Sequence, residues 1–376
     1  MKLNKIYSAI LLSTLPLTPA FAAGLDRSGQ SISVFLQPGN YAEAGISVLD
    51  PTVKSSQLNV TDMAEDYYFP SAAIKVQATE QISLGLLYDQ PFGADAMYNL
   101  EQSMFTNGIE ATKVEVETHN LTALIGYQPT ENWNFYAGPV YQTVQSTVSL
   151  RGLAYGGASK LGSYDINLRE DEAYGWLAGF AYQIPEIALK AALTYRSEID
   201  HKAKSVETFS SPRGVDTLLT SNVHAVTPQS VNLDLQTGVA ANTIAFANVR
   251  WVHWDQFAVT PKYLKNASGN NLIDYSDDQW SANVGVGRKF NNKWSGSASV
   301  GYDSGAGNPV TTLGPTEGYW NVGLGAQYSP AENYFIQAGL KYFWLGDATA
   351  KAGKTELGNF EDNHALGYGM KIGYRF

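Results

Sequence analysis

Large apolar and small polar residues alternate along most of this chain. In "WNVGLGAQY" one face carries Trp320, Val322, Leu324, Ala326 and Tyr328, and the other Asn321, Gly323, Gly325 and Gln327. "QWSANVGVGRKF" sets Trp280, Ala282, Val284 and Val286 against Ser281, Asn283, Gly285 and Gly287. "KWSGSASVGY" sets Trp294, Ala298, Val300 and Tyr302 against three serines and Gly301. The closing "HALGYGMKIGYRF" alternates in the same way from Leu366 to Phe376. A period of two predicts β-strands whose faces meet two unlike surroundings.

A soluble sandwich also alternates, but its outer face is usually rich in Lys, Glu and Thr. Here the polar face is Gly, Ser, Asn and Gln with an isolated charge now and then, and the apolar face ends in Trp or Tyr near the turns. That pattern fits a lipid-facing band with aromatic girdles around a polar lumen. Links between runs alternate in length. Residues 79–81, 129–132, 185–186, 291–292 and 329–333 are short; 151–170, 208–225, 261–273, 305–316 and 348–363 are long and polar.

Fourteen runs lie between these links: 41–50, 67–78, 82–91, 112–128, 133–150, 171–184, 187–206, 228–240, 243–259, 276–290, 293–304, 317–328, 334–347 and 364–376. The expectation is an all-β fold, a transmembrane antiparallel β-barrel of fourteen strands over 41–376. An open sheet edge in hydrocarbon would leave unpaired N–H and C=O groups, so the sheet must close.

Composition agrees. Charged residues make up 16% of the chain, against about 25% in ordinary globular proteins. There are 23 Tyr, 8 Trp and 35 Gly. The net charge of −10 argues against nucleic-acid partners, which need basic surface. With no cysteine, disulfides and thiolate metal sites are excluded. The first 22 residues, "MKLNKIYSAILLSTLPLTPAFA", have a basic start, an apolar run and Ala20-Phe21-Ala22, which predicts a cleaved signal peptide over 1–22 and export across the inner membrane. No later run approaches the roughly 20 apolar residues of a spanning helix.

Candidate chemistry is sparse. No pair among the five histidines has metal-ligand spacing. In "WVHWDQF", His253 and Asp255 could belong to a triad, but a histidine at the interfacial girdle is the plainer reading. No residue pattern calls for a cofactor, a catalytic group or a metal, so an enzyme is not expected. Acidic loop residues such as Asp62, Glu170, Asp274 and Asp278 serve solvation or bridge cations to lipopolysaccharide. Inward-facing charges are Lys190, Arg196, Arg250, Lys341, Lys371 and Arg375 against Glu43, Asp89, Asp234 and Asp303. The cations suit an anionic head group or pairing across the lumen. In "LLYDQPFGADAMY" the third strand meets Pro91 and then Gly93. Proline removes a ladder donor and glycine marks a bulge or close approach, so the strand there either bends inward, opens a hole, or simply ends. Pro139 marks a second kink or bulge.

The stretch "TPQSVNLDLQTGVAANTIAFANVRWVHWDQF" (227–257) resembles the central signature of the FadL-type transporters, outer-membrane proteins of Gram-negative bacteria for long-chain fatty acids and aromatic hydrocarbons. "YAEAGISVLDP" (41–51), the two Trp-rich strand pairs above and the closing "IGYRF" fit the same family. The resemblance implies a fourteen-stranded barrel, an N-terminal hatch, and a kinked third strand giving a lateral exit, here at Pro91, Phe92 and Gly93. The chain departs from the family in carrying only "AGLDRSGQSISVFLQPGN" (23–40) before the first strand, without Asn-Pro-Ala. Val34, Phe35 and Leu36 of this segment, with Arg196, Arg250 and Lys341, are the candidate ligand contacts. The expected function is passive uptake of hydrophobic small molecules, the alternative being a water-filled porin or a surface-binding barrel. Ile372, Tyr374 and the terminal Phe376 resemble the signal read by barrel-assembly machinery, and outer-membrane lipid and lipopolysaccharide are the expected surroundings.

Overall fold

The computed structural model describes residues 25–101, 103–155, 163–210 and 216–376. The expected signal peptide, 1–22, lies outside them. One antiparallel sheet of seventeen hydrogen-bonded segments winds into fourteen barrel strands, because strands 3, 7 and 8 are each interrupted once. Strand 1 (Tyr41–Thr52) pairs with strand 14 (His364–Arg375) from Tyr41↔Arg375 to Thr52↔His364 and closes the barrel. The order between them is strand 2 (Tyr67–Gln77), strand 3 (Ile82–Asp89 and Gly93–Met97), strand 4 (Lys113–Tyr127), strand 5 (Trp133–Leu150) and strand 6 (Ser163–Ile184). Strand 7 (Leu189–Arg196 and Ile199–Ser210), strand 8 (Asp216–Thr227 and Ser230–Ala240), strand 9 (Thr243–Val252) and strand 10 (Gln279–Lys289) follow. Strands 11 to 13 are Trp294–Asp303, Tyr319–Tyr328 and Tyr334–Leu345. Each pairs with its neighbour, as a barrel without edges requires.

Alternation places the faces as expected. Val284, Val286, Val300, Val322, Leu324, Leu340, Met370 and Ile372 are exposed on the outer wall. Aromatic pairs bound this band. Trp294–Tyr328 (centroids 4.8 Å) and Trp133–Tyr182 (4.9 Å) lie at the end with short turns, and Tyr302–Trp320 (4.8 Å) at the other. No helix among the described residues is long and apolar enough to cross a membrane.

The long links are not plain loops. Strand 6 starts at Ser163, and residues 163–168 pair with 205–210. Residues 216–225, expected within the link 208–225, belong to a strand segment, 216–227, that pairs with 199–210 along its whole length. The wall therefore rises past the lipid on this side. Its pattern is inverted there: Tyr164, Ile166, Leu168, Ala203 and Val223 point inward into an apolar cluster, while Arg169, Lys202 and Lys204 face outward. A strand with water outside reads as a polar link when lipid is the assumed surrounding.

The remaining links fold into a cap. Among the described residues it contains the α-helix α1 (Lys262–Ser268), the strand pair Ala258–Val259 with Ile273–Asp274, and the hairpin Ala348–Ala352 with Thr355–Phe360. Tyr98, Phe105 and Phe360 form its centre, with Tyr98 stacked on Phe105 at 4.0 Å. Pro139 is not a bulge. Its strand keeps one register from Thr122↔Val140 to Ile125↔Ala137, and the register shift falls at Val144/Ser146 instead.

Candidate functional site

Residues 25–40 run inside the barrel, from the short-turn end at Asn40 up to the break in strand 3. Left-handed turns at Gly29 (φ 60°) and Gln30 (φ 50°) and tight bonds from Phe35 N to Ile32 O (3.0 Å) and Gln37 N to Val34 O (3.2 Å) fold the segment compactly. Ile32, Val34, Phe35 and Leu36 are all buried. Val34 packs with Tyr41 and Phe335; Phe35 meets Leu124, Leu177 and Tyr136, the last edge-on at 5.8 Å.

The lumen cations hold this segment. Arg250 donates from Nε to Asp26 Oδ2 (2.7 Å), from Nη1 to Asn232 Oδ1 (2.7 Å) and from Nη2 to Gln30 Oε1 (3.1 Å). Arg196 donates to the Gln30 carbonyl, Lys190 to Leu36 O (2.8 Å) and Lys75 to Gln37 O (2.8 Å). Asn232 adds a bond to Gly29 O (2.8 Å), and Ser28 donates to Asp89. A turn-rich backbone in a closed lumen has carbonyls that no ladder satisfies, and these long basic side chains supply the donors. Arg196 and Arg250 are thus brought together on the segment. Lys341 is apart: it lines a small cavity of about 30 Å³ with Asn283, Ser297, Ser299 and Gln337 and has no ion pair among the described residues. Lys371 pairs with Glu43 at 3.2 Å.

Strand 3 breaks where Pro91 interrupts it, between Asp89 and Gly93. The chain bends inward, and Phe92 is buried edge-on against Trp254 (5.6 Å). The freed backbone groups find new partners. Pro91 O accepts from Arg27 N (2.7 Å), Gly93 N donates to Leu25 O (2.9 Å), and Phe92 bonds Thr118 Oγ1 through both its N–H (2.9 Å) and its carbonyl (2.6 Å). The N-terminal segment therefore serves as a short substitute strand. Gly93 is required by a close approach: a Cβ there would lie 1.7 Å from the Tyr67 hydroxyl, which donates to Val116 O (3.1 Å).

The ladder between strands 2 and 3 runs only from Gln77↔Ser83 to Ala72↔Tyr88. Above it, residues 67–71 have no strand 3 partner. A cavity of about 70 Å³ occupies this gap and touches both sides of the wall, lumen residues Ser28, Asp89 and Arg196 and outward residues Pro70, Ala72 and Tyr88. On the outer rim, Tyr88 Oη and the Gln90 side chain meet His119 Nδ1 at 2.8 and 3.3 Å. Below them the wall turns apolar at Leu121, Leu86 and Leu84.

A second cavity, about 550 Å³, opens among the cap loops and is lined by Leu150, Leu264, Leu272, Leu313, Asn271 and Lys351. Glu207 on strand 7 fixes its helix by accepting from Tyr263 N (3.2 Å) and Leu264 N (2.8 Å). Phe92, Trp254, Phe257 and Tyr275 form one aromatic cluster, with Trp254 in edge contact with the other three at 5.1 to 5.6 Å and Phe257 tilted against Tyr275 at 5.5 Å.

Sequence reasoning did not single out Lys75, Tyr67 or Glu207. Lys75 and Tyr67 share the inward set of "YYFPSAAIKVQ" with Phe69, Ser71 and Ala73, so the alternation carried the signal. His253 Nδ1 hydrogen-bonds Asp278 (2.9 Å) and stands 3.3 Å from Asp255, with carboxylates rather than a serine hydroxyl beside it.

Comparison with known proteins fits this geometry. No curated protein sequence matches the chain significantly. Among solved structures, a Pseudomonas aeruginosa FadL homologue has 15% identity and a TM-score of 0.75, with 96% of this chain and 98% of that one covered. The Pseudomonas putida toluene transporter TodX has 13% identity and a TM-score of 0.68, covering 96% and 97%. The Ralstonia pickettii toluene transporter TbuX has 12% identity and a TM-score of 0.66, covering 96% and 99%. At these identities the likeness is one of fold. The family model described as outer membrane protein transport protein (OMPP1/FadL/TodX) matches residues 12–376. With nearly the whole chain matched and the barrel closed, the chain belongs to this outer-membrane family of hydrophobic-compound transporters, which are channels and not enzymes.

Proposed function

We propose that the protein takes up long-chain, fatty-acid-like amphiphiles and releases them sideways into the outer membrane through the gap between strands 2 and 3. The observation that carries this reading is the loss of strand pairing above Ala72↔Tyr88, where one cavity touches lumen and lipid-facing residues together. Apolar cargo gains about 0.8 kcal/mol per CH₂ by leaving water for hydrocarbon, which an aqueous exit would forfeit. The mouth cavity, with Leu264 and Leu313 beside Asn271 and Lys351, suits a chain with a polar end. The Tyr88, Gln90 and His119 rim offers that end a place at the membrane boundary while the chain slides past Leu84 and Leu86.

A gap of about 70 Å³ is smaller than any such cargo. Passage therefore includes displacement of the N-terminal segment from Pro91 and Gly93, and of Phe92 from Trp254. Val34, Phe35, Leu36, Arg196 and Arg250 act in this reading by holding the segment. Lys341 remains available to the cargo's carboxylate. Phe376, with Tyr374 and Ile372 on the outer wall, supports recognition by barrel-assembly machinery.

The chain has no cysteine, so a cross-link tests the exit cleanly. In a Pro70→Cys/Gln90→Cys variant, a short thiol cross-linker is expected to abolish uptake of labelled long-chain fatty acid into cells, and a cleavable linker to restore it on reduction. Uptake that survives full cross-linking rules out this exit. Uptake of toluene in preference to fatty acid would replace the amphiphile with an aromatic hydrocarbon. A steady ion conductance indifferent to the cross-link would mark a water-filled porin.

A further inference from the structure

The geometry points to a divalent transition-metal site at the outer rim, formed by His253, Asp255 and Asp278, that clamps the base of the 253–278 excursion. His253 Nδ1 lies 2.9 Å from Asp278 Oδ1 and 3.3 Å from Asp255 Oδ1, and the three ligand atoms all fall within 4.8 Å of one another. Ligands bound to one zinc-class ion at about 2.0–2.2 Å stand roughly 2.8–3.6 Å apart, from right-angled to tetrahedral geometry, so both nitrogen–oxygen spacings match edges of a coordination shell. An imidazole nitrogen carries one proton at most and satisfies one of the two carboxylates. The other faces a like charge, and a dication answers both.

The outer partners are in place. Trp251 Nε1 donates to the second oxygen of Asp278 (2.9 Å), leaving Oδ1 turned toward the histidine. The His253 backbone N–H is anchored on Gln229 O (3.1 Å). Such bonds orient metal ligands and set their affinity. The side chains are partly exposed, 20% for His253, 27% for Asp278 and 44% for Asp255, so an ion can enter and keep water in its open positions. Imidazole with carboxylates suits zinc-class metals better than calcium or magnesium, which prefer oxygen alone.

Position gives the site its effect. His253 and Asp255 follow strand 9, and Asp278 precedes strand 10. The chain between them carries the helix Lys262–Ser268 and residues Leu264, Asn271 and Leu272 of the mouth cavity. The ladder already joins Val252 to Gln279, and the metal extends that hold by tying Asp255 to His253 and Asp278 at the foot of the excursion. The occupied site holds the cavity wall in the arrangement described above.

The test uses the untagged, detergent-purified full chain after chelator treatment. Titration with Co²⁺ is expected to give a saturable visible absorption band at one ion per chain, displaced by Zn²⁺. His253→Ala and Asp278→Asn are expected to lose it, Trp251→Phe to weaken binding about tenfold, and Asp274→Asn, which lies on the same excursion but pairs with Lys351 (2.9 Å), to leave it unchanged. Zn²⁺ is also expected to slow proteolysis within residues 256–277 in the unsubstituted protein. Heat-shifted gel mobility verifies that each variant remains a folded barrel. No saturable Co²⁺ binding by the unsubstituted protein up to millimolar metal, or full binding by His253→Ala, overturns the assignment and leaves a proton as the only occupant.

Discussion

Truncating Phe35 to alanine is expected to loosen the N-terminal segment and leave the barrel intact. The ring is fully buried. It lies across two glycines of the wall, Gly85 and Gly126, where an added Cβ would stand 2.5 and 2.8 Å from ring carbons. Phe-to-Ala changes in packed interiors cost about 3–5 kcal/mol, the spread reflecting how far the site collapses. Collapse is limited here because one side of the hole is strand backbone held in a closed ladder. The loss therefore falls on the segment and not on the sheet. At 1.4 kcal/mol per tenfold, its release equilibrium shifts by roughly a hundred- to a few-thousandfold. Hydrogen exchange reads this directly at Arg27, whose N–H bonds Pro91 O (2.7 Å), and at Gln37, whose N–H bonds Val34 O (3.2 Å). Both amides are expected to exchange faster by that factor, while amides of strands 9 to 13 keep their protection. Gly126→Ala drives a Cβ into the ring and is expected to act in the same direction. The double variant is expected to be less disturbed than the sum, since the smaller side chain vacates the space. Unchanged exchange at Arg27 and Gln37 would refute this account of how the segment is held, as would equal loss of protection across the whole barrel.

Three further outcomes follow from the same geometry. Leu324→Arg, on the outer wall, is expected to destabilise the folded barrel in lipid by about 2–4 kcal/mol, whereas Gly325→Arg points into the lumen and escapes that penalty; reversible denaturant unfolding in bilayers measures both, and equal penalties would contradict the assigned faces. Glu207→Ala removes the acceptor of the Tyr263 and Leu264 amides and of the Tyr164 hydroxyl (3.1 Å) and is expected to cost about 1 kcal/mol of local helix stability, seen as faster exchange over 262–268 while strands 9 to 13 keep their protection. Burial raises the Glu317 carboxyl, in the link before strand 12, from the ordinary 4.5 to about 7. Its folded form binds the proton more tightly than its unfolded form, so the stability contributed is present at acid pH and declines as pH rises from about 4.5 through 7. Lower stability to denaturant is expected at pH 8 than at pH 5, and Glu317→Gln is expected to flatten the difference.

Much of this was legible along the chain. The period of two from Trp280 to Ala326 depends only on which side of each strand meets lipid, so it fixed the faces, the closed sheet and the count of fourteen before any contact was known. Pro91 and Gly93 announced the break because a missing donor and a missing Cβ act locally. The links at 163–168 and 216–225 were misread for a physical reason: above the membrane the outward face becomes polar, and Arg169, Lys202 and Lys204 then look like loop residues. The lumen cations were found as inward-facing, and the pairing of Lys371 with Glu43 (3.2 Å) is one of the tasks expected of them, but their hold on the N-terminal segment was invisible. Alternation says that Arg250 points inward and is silent about Asp26, which lies 224 residues away.

A short N-terminal hatch was expected from the family resemblance, but tertiary structure alone decided how it is held. Sixteen residues, 25–40, enter the lumen and lend Leu25 and Arg27 to the gap in strand 3. Nothing in their order specifies this, because their partners are carbonyls, glycine faces and guanidinium groups contributed by strands that meet only when the barrel closes. The sequence by itself determined the wall, since each residue's place there depends on its solvent. Whether the wall opens, and where cargo passes, depends on contacts between distant segments, and those exist only in the folded barrel.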